Sequence, residues 1–310
     1  MEFTPEQIIS FLKSKSLVFS EETVFDQIKR RLHRLVLPIK NANQNNILKL
    51  LLDDEPDAVR RFKTEKEILK SFQDFKFSKI LTNKLIESGD ELLPWFLVEA
   101  VNGDIGGNIF EFDKQFAGDC LVDAVLELFG ELQVLGRKVN QSIDYIVDNR
   151  FVIEGLKRFD NPELIKYRSV ITSYHQKIAN RPLSTLSHSD LTPLNFLFSE
   201  NGVGVIDWET VCLQDKVFDP AYVYQRLWRY PDCQGKLKNR LFKDYLSESD
   251  SRAFDFYIVL LLSIDIQTIS TMIDRGENRL YQDKKIYRKD YLQDLFELYI
   301  EKLDELVKSF

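Results

Sequence analysis

No glycine precedes Gly89 in this 310-residue chain, so a glycine-rich loop of the kind that covers nucleotide phosphates is excluded from the N-terminal region. Cysteine is scarce. Cys120, Cys212 and Cys233 are odd in number, far apart and never in a C-x-x-C pair, which excludes a disulfide framework and a cysteine zinc site. That usage reads as a reducing, cytoplasmic setting. Positive charge is not in excess: 42 Lys plus Arg against 49 Asp plus Glu leave −7, which disfavours a nucleic-acid partner held by bulk charge. Long apolar runs are also missing. The strongest, Phe256 to Ile264, stops at Asp265, against roughly 20 residues needed to cross a bilayer, so it is expected to be a buried helix and no membrane partner is expected. The opening MEFTPEQII carries acid where an export signal carries base, and no such signal is expected. No internal repeat or low-complexity segment is present. What remains is ordinary globular material, 44% hydrophobic, 12% aromatic and 29% charged, enough for about two domains of roughly 150 residues.

The N-terminal third mixes helix and strand signals. Thr4-Pro5-Glu6-Gln7 has an N-cap residue, a proline suited to the first helical position and a Gln placed to close a capping box. Two strand-like runs follow, Arg34 to Lys40 and Asn46 to Leu52, joined by the turn-forming NANQ at 41–44, and predict a hairpin. After the acidic turn at 53–56, Val59, Phe62, Leu69 and Phe72 fit one face of a helix. The apolar run Trp95 to Val98 then leads into a loop with Gly103, Gly106 and Gly107, the expected linker between lobes. Beyond it the pattern is helical. Leu121, Val125, Leu128, Leu132 and Leu135 form one stripe and Leu164, Tyr167, Ile171, Tyr174 and Ile178 another, with three or four further helices after Pro220. The charged stretch Asp274 to Asp290 reads as a solvated loop.

Chemistry concentrates in Leu186 to Ala221. In His188-Ser189-Asp190-Leu191-Thr192-Pro193-Leu194-Asn195 a carboxylate and a carboxamide stand five residues apart among turn formers. Phe196 to Phe198 and Val203 to Ile206 flank Ser199-Glu200-Asn201-Gly202, and Asn-Gly at the centre of a two-residue turn would place Phe196 opposite Asp207. The ribbon would then carry the Asn195 oxygen and the Asp207 carboxylate at one end, near the loop that bears Asp190. Two hard oxygen ligands fit Mg2+, which takes few protein oxygens and completes its shell with phosphates and water. A carboxylate kept off the metal, Asp190, suits a base that orients or deprotonates a hydroxyl nucleophile.

HSDLTPLN followed by VIDWE resembles the aminoglycoside phosphotransferase and choline kinase family, with its His-x-Asp-x-x-x-x-Asn loop and Ile-Asp-Trp/Phe strand end. Pro193 and Glu209 also fall where many members have these residues. Asp219-Pro220-Ala221 resembles the family's Asp-Leu-Ala, and Asp215 matches an earlier aspartate. Less specifically, Lys49 matches the strand lysine that contacts nucleotide phosphates and Glu65 the helix glutamate that pairs with it. The segment 95–103, with Glu99 and Val101, resembles the hinge whose backbone hydrogen-bonds the adenine.

The resemblance implies an α+β, two-lobed protein-kinase-like fold: a small N-terminal β-sheet lobe with a helix (1–100, nucleotide-binding) and a larger, mainly helical C-terminal lobe (101–310, catalytic and substrate-binding). The implied activity is transfer of the γ-phosphate of ATP, or GTP, to a hydroxyl of a small molecule. Asp190 is the implied catalytic base and Asn195 and Asp207 the implied magnesium ligands. His188 and Asp219 would be supporting residues that hold the loop. A cationic acceptor, aminoglycoside- or choline-like, suits the net charge of −7. The alternatives are a non-catalytic kinase-fold module that binds nucleotide or a partner, and a protein kinase. The latter is disfavoured by the missing glycine-rich loop and the short span from Asp207 to Asp219. Whatever covers the phosphates would lie within Lys29 to Arg34, Ser189 departs from the usual Gly or Asn, and Lys216 from the usual Pro. Asp215 reads equally as a surface turn residue, and Trp208 and Trp228 equally as pocket or core.

Overall fold

The computed structural model describes residues 4–29, 33–41, 44–75, 77–91, 93–139, 150–162, 164–275 and 289–310. Residues 30–32 of the segment expected to cover phosphates, 42–43 of the NANQ turn and 276–288 of the charged stretch lie outside these. The chain divides into two compact units, the first made of Met1–Gly106, Val134–Asp144 and Leu194–Val211, the second of Gly107–Gln133, Tyr145–Pro193 and Cys212–Phe310.

The first unit is built on a four-stranded antiparallel sheet of β1 (Arg34–Asn41), β2 (Gln44–Leu51), β4 (Lys84–Gly89) and β5 (Trp95–Glu99), in the order β1-β2-β5-β4. Alternation sorts its side chains. Leu35, Leu37 and Ile39, then Leu48 and Leu50, then Trp95 and Leu97 share one face, covered by α1 (Pro5–Ser14) and α2 (Glu21–Lys29) through Ile8, Leu12 and Val24. Residues between them, Lys49 and its cross-strand partner Phe96, therefore point to the opposite face. There α3 (Pro56–Gln73) packs, with Phe62 4.9 Å ring-to-ring from Phe96. α1 starts as its sequence dictates: the Thr4 hydroxyl accepts from the Gln7 N–H and the Gln7 side chain accepts from the Thr4 N–H. A second sheet of the unit, in the order β3-β9-β8-β6, joins β3 (Ile80–Thr82) in parallel to β9 (Gly202–Val205), and β8 (Phe196–Ser199) antiparallel to β9 and to β6 (Asp104–Ile105).

The second unit is mainly helical: α4 (Asp119–Val139, whose end from Val134 on falls in the first unit), α5 (Arg150–Arg158), α6 (Arg168–Ile178), α7 (Phe218–Gln225), α8 (Pro231–Asp244), α9 (Ser251–Asp274) and α10 (Lys289–Val307), with one small ribbon of β7 (Thr185–Ser187) and β10 (Cys212–Gln214). Helix α9 is its axis, packed by α5, α6, α7 and α10. By length and composition it could cross a bilayer, yet 67% of its most apolar window is buried inside the protein, as befits a core helix. Asp215, read from sequence as a surface turn residue or a family match, is buried at 2% exposure. It accepts from Arg181, which also donates 2.7 Å to Asp250, while Lys216 reaches the other Asp250 oxygen at 2.7 Å. Burial alone would raise the Asp250 pKa. Lys216, Arg181 and the Ser247 N–H outweigh it and hold the carboxyl well below the usual range.

That depressed pKa has a pH consequence with a definite sign. The charged carboxylate stabilises the fold above its unfolded value near 4, and the contribution is lost as pH falls from there through the folded value. Urea midpoints measured from pH 7 to pH 3 are expected to drop below about pH 4. Asp250→Asn is expected to start about 2 kcal/mol lower at pH 7 and to show a shallower drop.

Candidate active site

Alternation on β2 aims Lys49 at α3, and helical spacing puts Glu65 on the same α3 face as Phe62, Leu69 and Phe72. The Lys49 ammonium donates to both Glu65 oxygens at 2.7 and 2.8 Å and to Asp207 Oδ1 at 3.0 Å. The Lys49 and Glu65 side chains are buried, while Asp207 keeps 37% of its surface open to solvent. Burial disfavours the ammonium, but the two carboxylates outweigh it and raise the Lys49 pKa, so the cation is permanent at neutral pH. Burial likewise raises Glu65, with Lys49 offsetting part of the rise.

The β8–β9 hairpin delivers Asp207, in a register two residues from the one expected. Phe196 faces Val205 and Ser199 faces Gly202, so Glu200 and Asn201 form the turn and Asp207 is not opposite Phe196. A type I′ turn centred on Asn-Gly needs positive φ at both residues. Here Gly202 alone has it (φ 128°) and sits just after the turn, where a residue with a β-carbon would be strained. The ladder still runs one step past the strands, the Ile206 N–H donating 3.0 Å to the Asn195 carbonyl. Asp207 then leaves in the left-handed conformation (φ 66°, ψ 61°), which Asp and Asn tolerate best among residues with a side chain. Asn195 and Asp207 thus sit at one end of the ribbon, as expected, by another route.

Two neighbours fix that turn. Trp208 is fully buried, donates its indole N–H to the Val205 carbonyl at 3.0 Å and meets Phe72 edge-on at 4.8 Å, so it belongs to the core. Glu209 is buried and holds Arg34 at 2.9 Å and Arg61 at 3.4 Å. Oxygens of Glu65, Asp207 and Glu209 lie within 4.8 Å of one another, but Glu65 and Glu209 are engaged by Lys49, Arg34 and Arg61. Of the oxygens at this end of the ribbon, those of Asp207 and Asn195 are the hard donors that could take a magnesium ion.

The segment expected to be the hinge is held closely. Asn83 donates to the Glu99 carbonyl at 3.0 Å, and the Ala100 N–H donates to the Asn45 carbonyl at 2.9 Å. Val101 rests on Gly204, where an added Cβ would come 2.5 Å from Val101 Cγ1, and Gly103 lies against the Phe198 carbonyl in the same way. Val101 therefore meets β9 through its side chain, and glycine is required at both positions for the close approach.

In the second unit, the loop leaving β7 carries His188, Ser189 and Asp190, and Asp219 in the first turn of α7 anchors it. The Asp219 carboxylate accepts from the Ser187 hydroxyl (2.8 Å), the His188 N–H (2.8 Å) and the Ser189 N–H (3.1 Å). Burial raises its pKa, and His188 and these donors counter it. His188 is fully buried, and its Nδ1 accepts from the Asp190 N–H at 3.3 Å. Ser189 has φ 64°, which explains why its place suits Gly or Asn; its hydroxyl lies 2.8 Å from that of Ser187. Asp190 Oδ1 accepts from the Tyr222 hydroxyl at 3.2 Å. Glu209 stood out in the sequence only as a match to the family pattern, and Tyr222 and the Arg34 and Arg61 partners of Glu209 not at all. The trace that Tyr222 leaves there is its i+3 spacing from Asp219.

Comparison with known proteins gives a consistent result. A family model described as "Phosphotransferase enzyme family" matches residues 39–257. "Protein LicA homolog" of Mycoplasma capricolum subsp. capricolum is 27% identical over 121 residues, 39% of this chain and 48% of that protein, so the match spans about half of the relative's length. Among solved structures, the GDP and kanamycin complex of APH(2")-IIia shares 15% identity at a TM-score of 0.59, covering 88% of this chain and 91% of that one. Choline kinase LicA from Streptococcus pneumoniae shares 16% identity at a TM-score of 0.57, covering 92% and 99%. The fold is therefore the α+β, kinase-like fold of these proteins.

Proposed function

The chain belongs to the phosphotransferase enzyme family, and from that premise we propose that it moves the γ-phosphate of ATP or GTP to a hydroxyl of a small molecule. The observation that carries the proposal is Lys49 gripped by buried Glu65 and by half-open Asp207 at the end of the β8–β9 ribbon. An ammonium fixed in that way is a preorganised anion site, and stabilisation of phosphoryl transfer rests on such preorganised charge. Lys49 steadies the phosphates, Glu65 fixes Lys49, and Asp207 with Asn195 holds magnesium. When bound, the ion neutralises charge on the phosphoryl oxygens. Asp190 accepts the proton of the acceptor hydroxyl as its oxygen bonds to the γ-phosphorus and the bond from that phosphorus to the β–γ bridging oxygen breaks. His188 and Asp219 shape the loop that presents Asp190, and the 99–101 segment meets the purine base.

GDP and kanamycin in one relative, and the choline kinase activity named for another, support a nucleotide donor and an amine-bearing acceptor. The charge of −7 points the same way. The test is nucleotide consumption with magnesium, with ATP or GTP, against aminoglycosides, choline, ethanolamine, sugars and homoserine. One acceptor is expected to stimulate turnover, and Asp190→Asn to cut it about 100-fold. No stimulation by any acceptor, with no magnesium-dependent nucleotide binding, would leave a non-catalytic module.

A further inference from the structure

We propose that Tyr222 is a positioning residue for Asp190, setting which oxygen of that carboxylate addresses the acceptor hydroxyl. The inference rests on the phosphotransferase reading and extends it to a residue outside the motif. Tyr222 stands three residues after Asp219 on α7, so one helix face grips the loop at two points: Asp219 holds the backbone of 188–189, and Tyr222 holds the Asp190 side chain. The Tyr222 hydroxyl donates 3.2 Å to Asp190 Oδ1, and its ring is buried at 8% exposure.

The ring is pinned from behind as well. Arg226, one turn further along the helix, lies with its guanidinium carbon 5.0 Å from the ring centroid, and Phe218 meets the ring edge-on at 6.0 Å. Arg226 is itself tied to Asp265 of α9, which Gln225 also reaches at 2.8 Å. The relay from α9 through Arg226 to Tyr222 therefore leaves the phenol little freedom to turn away. Burial, and next the Asp190 charge, push the phenol pKa far above its ordinary value, so the hydroxyl keeps the proton that it donates to Asp190. A carboxylate steered by such a donor is oriented before substrate arrives, and orientation is the larger part of what a base supplies in phosphoryl transfer.

The experiment is a double-mutant cycle of Tyr222→Phe and Asp190→Asn, read by kcat, by KM for nucleotide and by the thermal midpoint. Phenylalanine keeps the ring and its contacts with Phe218 and Arg226, so the midpoint is expected to hold. For Tyr222→Phe alone, kcat is expected to fall about tenfold with KM for nucleotide unchanged, as for loss of one hydrogen bond to a charged group. The double variant is expected to be no slower than Asp190→Asn, because Tyr222 acts only through that carboxylate. An unchanged kcat in Tyr222→Phe, or losses that multiply in the double variant, would overturn the inference and leave the phosphotransferase reading standing. A wild-type chain that transfers phosphate to no acceptor would overturn both.

Discussion

Exchanging Asp207 for asparagine is expected to lower turnover by about 10⁴-fold while the thermal midpoint moves little. The size follows from the two duties of this carboxylate: in the proposed mechanism it would be an oxygen ligand for magnesium, and it is one of two anions that hold the Lys49 ammonium. Losing a ligand and a charge together removes several kcal/mol of transition-state stabilisation. Asparagine is the informative choice because position 207 is left-handed at φ 66°, where alanine would add about 1 kcal/mol of backbone strain and blur the result. Lys49 keeps Glu65 in the variant and stays buried as a neutral pair. Steady-state kinetics with differential scanning calorimetry on the same preparation checks both halves. A loss below tenfold would overturn the metal-ligand role proposed for Asp207.

The second large effect is on stability and lies in the helical unit. Asp265→Leu is expected to cost 3–5 kcal/mol, about 10 °C in the thermal midpoint. Arg226 and Asp265 are 3% and 6% exposed, and Arg226 has its other neighbours in Tyr222 and Tyr299, so the truncated pair leaves a guanidinium buried without a counter-charge. Burial pushes the Asp265 pKa up while Arg226 pulls it down, and burial opposes the Arg226 charge while Asp265 favours it. Replacing both, Asp265→Leu with Arg226→Met, is expected to recover most of the loss, because two matched apolar side chains need no partner. Urea midpoints of the four proteins decide it. Equal losses in the single and double variants would mean that the cost is a packing defect.

What the sequence made legible, and what it hid, follows from the range of the interactions. Lys49 and Glu65 were legible only through their resemblance to the family's strand lysine and helix glutamate, since a lysine in a half-buried strand and a glutamate on a charged helix are by themselves ordinary solvated side chains. Asp207 and Asp190 carry a motif. The hairpin was visible but its register was not, since the Asn-Gly preference was met by a turn one residue earlier with Gly202 placed after it. Strands β3, β4 and β6 left little trace. β4 is polar and exposed along KLIESG and bulges between Leu85 and Glu87, and β6 is two residues long. The ring around Glu209 is formed by residues 148 and 175 positions away, and nothing local announces such partners. Trp208 could only be given as core or pocket until Phe72 was seen against it.

The tract 194–211 belongs to the first unit although it is encoded far behind the rest of it. A nascent chain that has released only residues 1–106 lacks β8 and β9, so β3 has no neighbour, the glycine contacts of the 101–103 segment have no surface, and Lys49 lacks one of its two anions. The sheet lobe is therefore a high-contact-order body whose completion waits on synthesis past Val211, by which time α4, α5 and α6 have already emerged. On the ribosome, a chain that ends before Val211 therefore lacks a complete first unit, and one that ends before Asp207 leaves Lys49 with Glu65 alone of its two anions.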